Sequence, residues 1–342
     1  MLNLMKTLTA VRGISGREKT VSDKLLTIVA PLTDKCRNDA MGNLIAVKYG
    51  TAPETSRKKV MLCAHMDEIG FLVTYIEDSG FIRVQPIGGI NWVAAAFTEV
   101  TFAGGLKGIL VPEAGTAPAD LSADKCYIDI GAKDAEDAKK YVSVGDYATF
   151  DSDFVTFGKD NTRMKGKALD DRAGCAMLIE IMRNLHDNPC DLPFDVCFAF
   201  TTCEEVGISG ANVAAFEVAP DTAIILEATA VNDLPGAGRN FVSKQGEGGT
   251  LSLCDRGTIY DMGFINYARQ TAEQKELKVQ LKQAFTGGTD AAHIQRSLSG
   301  VRVLGLSLPT RYIHSAFNVA LYEDFEQTWK LVVAMIRNWK LD

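Results

Sequence analysis

The sequence lacks the features that mark membrane, secreted and nucleic-acid-binding proteins. Its 342 residues carry a formal net charge of −7 and show no basic stripe that would neutralise phosphates, so nucleic acids and anionic membranes are not expected partners. No stretch approaches the roughly 18 uninterrupted apolar residues of a membrane span. The N-terminal segment turns polar too soon for a signal peptide. Together these absences predict a cytoplasmic protein.

Close-spaced cysteine pairs, internal repeats and low-complexity tracts are also missing. The 8 cysteines are scattered, several of them inside apolar runs, and no pair has the spacing of a zinc ribbon or a redox motif. They are expected to be buried, reduced thiols of a cytosolic protein. Histidine is scarce, with only 4 residues. A chain of this length exceeds what one core usually supports, so two domains or one elaborated domain are expected.

Strands and helices alternate along most of the chain. The apolar run "KKVMLCAHMDEIGFLV" is typical of a strand buried on both faces, and "FDVCFAFTTCEE", "DTAIILEAT" and "VRVLGLSLPTRYIH" predict further strands. Long helices are predicted at "KALDDRAGCAMLIEIMRNLHD" and "NVALYEDFEQTWKLVVAMIRNW". Ser15 and Glu18 have the spacing of a capping box before an earlier helix. The alternation is typical of an α/β fold whose sheet is covered on both faces.

The pattern changes from about Phe71 to Arg163. Short β-type runs there are separated by Gly, Asp and Pro, and "KDAEDAKKYV" predicts one short helix among them. We therefore predict a discontinuous α/β domain formed by residues 1–67 and 165–342. A small β-rich domain, residues 68–164, is predicted to be inserted into it.

Ionisable residues follow the predicted buried strands. His65 ends the first, Glu204 and Glu205 follow the second, and Glu227 and His314 follow the next two. Because strands of an open α/β sheet gather their carboxyl ends at one edge, we expect these side chains to converge there. Such a cluster is costly to bury unless its members are paired or bound to metal.

The two adjacent glutamates can serve one site only if the backbone leaves the strand before them. Neighbouring side chains of a strand point to opposite faces, so the exit must lie near Thr202 or Cys203. Val206 and Gly207 are suited to such a turn. The alternative is a solvated strand end with two surface carboxylates.

Imidazole nitrogens and carboxylate oxygens are the ligands that zinc and related ions take, and two ions about 3.5–4 Å apart need one bridging carboxylate. Asp170 or Asp171 could bridge. The other ligands would come from the strand ends: His65, Glu205, Glu227 and His314. One acid would then remain as general base. A glycosidase, which also uses two carboxylates, holds them apart around the sugar and leaves the histidines unexplained.

Several motifs in this order make the sequence similar to one family. They are "GISGRE", "AHMDEIGF", "GKALDDRAG", "TTCEEVGISGA", "GGTDAAHIQ" and "RYIHSAFNV", together with the β-rich insert. The chain resembles, over essentially its whole length, the co-catalytic metallo-aminopeptidases of the tetrahedral type. That family includes glutamyl and deblocking aminopeptidases and members once labelled endoglucanases. The resemblance implies a mixed sheet sandwiched by helices in a zinc-peptidase-like catalytic domain, with an inserted dimerisation domain.

The resemblance also implies a role for each matching residue. Glu204 matches the general base, and Asp67 the acid that orients a histidine ligand. Asp170 matches the bridging carboxylate. The metal ligands as a group would be His65, Asp170, Glu205, Glu227 and His314. At position 227 this chain has the longer Glu where relatives carry Asp.

The glycine-rich "GGTDA" segment and the histidine that follows it allow more than one interpretation. Asp290 and His293 are candidate wall residues of the site. The alternatives are a helix N-cap by Thr289 or Asp290 and a surface histidine. His186 is expected to be a plain surface residue.

The implied function is a cytoplasmic, dinuclear metal-dependent aminopeptidase acting on short peptides. Zinc or cobalt are the expected ions, with manganese as a further candidate. A related metal-dependent amidohydrolase or deacylase and a catalytically silent assembly protein are the alternatives. The family's inserted domain implies dimers that build a tetrahedral dodecamer. The preferred N-terminal side chain stays open: Arg239, Lys244 and Arg256 could favour acidic residues or belong to a solvated loop.

Overall fold

The computed structural model describes residues 1–237, 243–282 and 284–339, and Arg239 lies outside them. The strands, in chain order, are β1 (Lys35–Asn38), β2 (Leu44–Lys48), β3 (Lys59–His65), β4 (Gly70–Ile76), β5 (Ile82–Ile87), β6 (Thr98–Phe102), β7 (Lys107–Pro112), β8 (Cys126–Asp129), β9 (Tyr147–Phe150), β10 (Val155–Phe157), β11 (Arg163–Gly166), β12 (Asp195–Thr201), β13 (Thr222–Ala230), β14 (Gly249–Ser252), β15 (Val279–Lys282), β16 (Arg302–Arg311) and β17 (Asn318–Leu321). The α-helices are α1 (Leu2–Ala10), α2 (Lys19–Val29), α3 (Trp92–Ala95), α4 (Ala135–Ala138), α5 (Leu169–Asp187), α6 (Ser209–Val218), α7 (Met262–Gln274), α8 (Ala291–Gln295) and α9 (Tyr322–Arg337).

Most strands outside the inserted region form one mixed sheet. Its order is β1-β2-β12-β3-β13-β16-β17-β11-β10, and β14 pairs with both β16 and β15. β12, β3, β13 and β16 run parallel to one another, and their continuous apolar sequences suit strands buried on both faces. β3 lies between β12 and β13, so the direction of strand addition reverses at its carboxyl end. Ligand sites of α/β sheets lie at such switch points.

Helices cover both faces of this sheet. α5 packs on β3, β13 and β16 and is itself covered by α1 and α9. α6 packs on β12, and α8 contacts α6, β13 and β16. The crossovers that carry α5 and α6 run in opposite directions along the sheet, so right-handed connections put the two helices on opposite faces. The predicted mixed sheet sandwiched by helices is confirmed.

The inserted region forms a small closed barrel of its own. Its strands follow the order β4-β5-β8-β7-β6-β9, and Phe71 and Phe150 pack edge to face in its core with ring centroids 5.2 Å apart. Two short helices, α3 and α4, interrupt the region where the sequence predicted one. β10 lies inside the predicted insert, residues 68–164, yet joins the main sheet through β11. The division into domains at these residues stays a prediction.

Two local predictions were wrong. The C-terminal helix was predicted from Asn318, but it begins at Tyr322, because the preceding segment pairs as β17 with β11 and β16. The expected capping box does not form: the helix begins only at Lys19, after Glu18, and the Ser15 hydroxyl is bonded to Asp67. The Glu18 carboxylate accepts instead from the backbone N–H groups of Gly16 and Cys203.

Within the residues that the structure describes, no helix combines the length and the apolar composition needed to cross a bilayer.

Candidate active site

The carboxyl edge of the parallel strands brings the predicted site residues together. His65 ends β3 and pairs in register with Thr201, the last residue of β12. Glu227 stands two residues beyond Ile225, which pairs with Cys63, so it lies level with His65. A cavity of about 430 Å³ opens at this edge, and the predicted residues that line it are His65, Asp170, Glu204, Glu205, Glu227 and His314.

Asp170 stands at the centre of this group. Its Oδ1 lies 3.2 Å from His65 Nε2, and its Oδ2 lies 3.6 Å from His314 Nε2. Each imidazole also has a glutamate beside it. Glu227 Oε1 is 3.4 Å from His65 Nε2, and Glu205 Oε2 is 3.7 Å from His314 Nε2. Two imidazole–glutamate pairs therefore flank a shared carboxylate.

The start of α5 separates the two aspartates. Asp170 and Asp171 have non-helical backbone angles, and the peptide bond between them is cis. Asp171 Oδ1 accepts from Gly174 N at 2.9 Å, while its Oδ2 is buried without a hydrogen-bond partner among the described residues. Asp171 can still form a metal-sized group with His65 and Glu227. What distinguishes Asp170 is its second oxygen, which faces His314.

Asp67 fixes the turn that follows β12. Cys203 adopts a positive φ of 55°, and the backbone N–H groups of Glu204 and Glu205 then donate to the Asp67 carboxylate, each at 3.1 Å. Ser15 Oγ donates to the same carboxylate at 2.6 Å, which is the bond it makes in place of a capping box. Both glutamates line the cavity, so the alternative of a solvated strand end does not hold.

Burial and like charges dominate the electrostatics of the site. Burial raises the pKa of Glu204 and Glu205 well above the usual range, with the neighbouring carboxylates adding to it. Burial also raises the pKa of Glu227 to about 7. For His65, burial lowers the pKa, but Glu227 and Asp170 outweigh it and leave the pKa well above its usual value. Cations would relieve this crowding of acids.

The barrel contributes backbone that the sequence analysis did not assign to the site. A Cβ added at Gly88 would lie 2.8 Å from Glu205 Oε2, and one at Gly89 would lie 2.8 Å from His314 Nδ1. Asn91 N donates to the carbonyl oxygen of His314 at 2.9 Å. The Gly–Gly pair in "IGGIN" was the available signal, because glycine allows such close approach.

A buried ion network joins the two places where the chain passes between the sheet and the barrel, at Glu68 and at Lys167. Lys167 Nζ donates to both oxygens of Glu68 at 2.7 Å, and burial lowers the pKa of this lysine to about 8. Arg172, fully buried, donates to the carbonyl oxygens of Leu8, Val11 and Met66. The network fixes the N-terminal segment to the chain around Asp170.

Asp290 and His293 are not among the residues that line the cavity. Asp290 is buried behind the ends of β3 and β12, where its Oδ2 accepts from Thr201 Oγ1 and Cys63 Sγ. Thr289 lines the cavity, and its Oγ1 accepts from Ala291 N at 3.2 Å, close to the predicted cap. His186 is exposed, as predicted.

This geometry is typical of a metal-dependent enzyme, because imidazole and carboxylate groups suited to a metal ion gather at the carboxyl edge of the sheet. Residues 42–331 match the family model described as M42 glutamyl aminopeptidase. The chain belongs to this family and is an aminopeptidase, a hydrolase of peptide bonds. The resemblance drawn from the motifs is therefore confirmed.

Known relatives are similar over nearly the whole chain. A putative aminopeptidase of Acetivibrio thermocellus is 35% identical over 339 residues, covering 98% of both chains. The lysyl aminopeptidase of Pyrococcus furiosus is 31% identical, covering 98% of this chain and 97% of its own.

Two solved structures are likewise similar over nearly the whole chain. The TET aminopeptidase of a marine sediment thaumarchaeon superposes with a TM-score of 0.94 at 30% identity, covering 99% of this chain and 97% of its own. The TET1 peptidase of Pyrococcus horikoshii, described as able to assemble into a tetrahedron or a large octahedral shell, has a TM-score of 0.84 at 30% identity, with 98% of each chain covered.

Proposed function

We propose that the protein is a dinuclear, metal-dependent aminopeptidase that removes N-terminal residues from short peptides. The observation that carries this proposal is the position of Asp170, whose two carboxylate oxygens face two imidazoles. We assign one ion to His65, Glu227 and Asp170. A second ion is assigned to His314, Glu205 and Asp170.

The spacing of the donor atoms supports these assignments. Two ligands of a tetrahedral ion at 2.0–2.2 Å lie about 3.4 Å from each other. The nitrogen–oxygen distances around Asp170 run from 3.2 to 3.7 Å. Nitrogen and oxygen donors suit zinc or cobalt, and manganese is a further candidate. Bound divalent ions supply polarisation of the scissile carbonyl and a lower pKa for water.

Glu204 is the cavity acid that this assignment leaves without a ligand role. We assign it the proton transfer, from the attacking water to the leaving amine. Asp67 is assigned as a positioning residue: its Oδ1 lies 3.4 Å from His65 Nδ1, and Ser15 holds the carboxylate in place. The Asp67 carboxylate also accepts from the backbone N–H of Glu204, so it positions both the proposed base, Glu204, and the proposed ligand, His65.

The cavity also suits a free N-terminus. Its volume of about 430 Å³ lies toward the small end of ligand pockets, which fits an N-terminal residue rather than an internal segment of a folded chain. The α-amino group of a peptide is positively charged, and the acidic lining of the cavity as a whole would match that charge.

We further propose that the inserted region, residues 68–164, is a domain for self-association, to dimers and then to a tetrahedral dodecamer. The barrel exposes large apolar side chains, among them Val93 at 62%, Phe97 at 72% and Tyr141 at 64%. The assembly described for the TET1 relative supports the same role. Enclosed active sites would admit short peptides and exclude folded proteins.

A cytoplasmic location is the last part of this proposal. All 8 cysteines are free thiols, and Cys63, Cys126, Cys175 and Cys197 are buried. Free thiols in this number suit a reducing compartment.

The test compares adjacent isosteric substitutions on a panel of amino-acid anilides with zinc, cobalt or manganese added. Glu204→Gln should lower turnover by about 10²–10⁴-fold and keep both metals, because only a base is lost. Glu205→Gln should lose metal as well as activity. His65→Ala and His314→Ala should also bind less metal.

Three outcomes would count against the proposal. Near-normal turnover by Glu204→Gln would move the proton transfer elsewhere, and full metal occupancy in both histidine variants would remove those ligands. Cleavage of N-acylated amino acids with no cleavage of free-amino anilides would favour the deacylase alternative.

A further inference from the structure

One lysine lies inside the cavity of the candidate active site. Lys282, the last residue of β15, is only 7% exposed and lines the same cavity as His65 and Glu227. Its Nζ donates to the carbonyl oxygen of Thr286 at 2.7 Å. Among the lining residues that the structure describes, Lys282 is the only lysine or arginine. A single ammonium group therefore stands in a cavity whose other ionisable side chains are carboxyls and imidazoles.

The sheet register places this lysine at the far side of the cavity from the proposed metal ligands. Glu227 pairs with Ser307, Ser307 with Thr250, and Thr250 with Gln280, so these four residues share one face of the sheet. Lys282 stands two residues beyond Gln280 and points to that same face. β13 and β15 are three strand spacings apart, about 14 Å. Lys282 and Glu227 line one cavity across this gap, so a substrate side chain that enters the cavity would lie between them.

The ammonium group of Lys282 makes no ion pair with a described residue, although the charges of Asp255 and Glu227 act on it from a greater distance. The nearby Asp255 is already used: Oδ1 accepts from Gly257 N and Thr258 N, and Oδ2 accepts from the Tyr260 hydroxyl. Burial lowers the pKa of Lys282, while Asp255 and Glu227 oppose that shift. A buried cation without a directly paired anion is costly, and an anionic ligand beside it lowers that cost.

We propose that Lys282 binds the side-chain carboxylate of an acidic N-terminal residue and makes the enzyme selective for peptides that begin with Glu or Asp. The inference rests on the proposed function, since it needs the scissile bond at the metal ligands. Family membership leaves the preference open: the matching family model is named for a glutamyl aminopeptidase, whereas the Pyrococcus furiosus relative is a lysyl aminopeptidase.

The basic residues suggested by the sequence are less suited to this role. Lys244 and Arg256 are both exposed, and neither lines the cavity. An exposed cation in water contributes little to discrimination between substrates, whereas a buried one loses its hydration and gains more from an anion. Burial thus singles out Lys282, whose position in a short strand gave no signal in the sequence.

The test compares glutamyl and glutaminyl anilides, which are isosteric and differ in side-chain charge. Because anilides carry no C-terminal carboxylate, the ratio of their kcat/KM values reports on the side chain alone. We expect the wild type to prefer the glutamyl substrate by about 10²-fold, as for a buried charge pair. In Lys282→Met the ratio should fall to about threefold or less. Lys282→Glu should shift preference toward lysyl anilide.

Lys278→Met is the matched control. Lys278 lies just before the same strand, is exposed and pairs with Glu323, so its removal changes the charge equally without touching the cavity. The glutamyl-to-glutaminyl ratio should stay at its wild-type value. As a measurement that needs no variant, free glutamate should inhibit the wild type more strongly than free glutamine.

An unchanged ratio in Lys282→Met, or a wild type that cleaves both anilides equally and is inhibited equally by the two free amino acids, would overturn the inference. These results are distinct from failure of the proposed function. If the proposed function fails, the metal-loaded wild type cleaves no free-amino anilide, whatever its side chain. If only the inference fails, neutral substrates such as leucyl anilide are still cleaved.

Discussion

Gly89→Ala should impair the active site while leaving the fold intact. The added Cβ would lie 2.8 Å from His314 Nδ1 and 3.3 Å from its Cε1, with nothing else within 4 Å. Restoring an ordinary contact of about 3.4 Å moves the ring by about 0.6 Å, beyond the roughly 0.5 Å that a catalytic constellation tolerates. The His314 side chain is 41% exposed and can shift toward solvent, so the free energy of unfolding should change by no more than about 1 kcal/mol.

The expected loss in kcat/KM is about 10- to 100-fold, because misplacement by 1 Å costs on the order of 10². The proposed ion beside His314 should also bind more weakly, so added metal should restore part of the activity. Gly104→Ala is the control: it lies in the same barrel, and its Cβ meets no atom within 4 Å. Activity and metal content equal to those of the control would refute the claim that the barrel loop holds His314 in place.

Two further predictions concern the rest of the molecule. Asp324 is buried, accepts from Gly246 N and Gly248 N, and has a pKa raised by burial to about 6. Because this carboxyl must ionise in the folded state, the free energy of unfolding of the wild type should fall as pH rises from 4 to 7. Asp324→Asn lacks the ionisation, so its free energy of unfolding should rise by about 3 kcal/mol relative to that of the wild type over the same range. Denaturation curves that give the same difference between the two proteins at every pH would contradict this. Phe97→Glu should weaken self-association at least about 10²-fold, since it exchanges a large apolar contact for a charge. Sedimentation velocity measures this, and an unaltered distribution of species would exclude Phe97 from the interface.

Much of the fold could be predicted because burial on both faces leaves a strong pattern. The runs that became β3, β12, β13 and β16 are predominantly apolar, and polar residues stand at or just after their carboxyl ends. Parallel strands collect those ends at one edge, which is how His65, Glu205 and Glu227 come together. This step needs only strand order and direction. It does not need the loops, whose conformation the sequence defines poorly.

The parts that could not be predicted depend on contacts between distant segments. Ser15 and Glu18 have the local spacing of a capping box, but their side chains bind Asp67 and the backbone of Cys203, far away in the chain. A pattern of neighbouring residues carries no information about such distant partners. A hydrogen bond from the Ser15 hydroxyl to the ionised Asp67 carboxylate is stronger than one to a neutral backbone group. Gly88 and Gly89 could not be assigned to the site from the sequence for the same reason, because their neighbours Glu205 and His314 lie in two other loops.

Lys282 shows most clearly why charge read along a sequence is a poor guide to specificity. Lys244 and Arg256 stand in a polar, glycine-rich stretch that looks like a binding loop, yet both are exposed. Lys282 follows apolar Leu281 in a strand of four residues that reads as ordinary surface, and only the pairing of β15 with β14 carries it to the cavity. The energy of a charge pair depends on how much water both groups lose, and that is a property of tertiary structure. Substrate preference in this enzyme should therefore follow the one buried ammonium group of the described cavity rather than the number of basic residues around it.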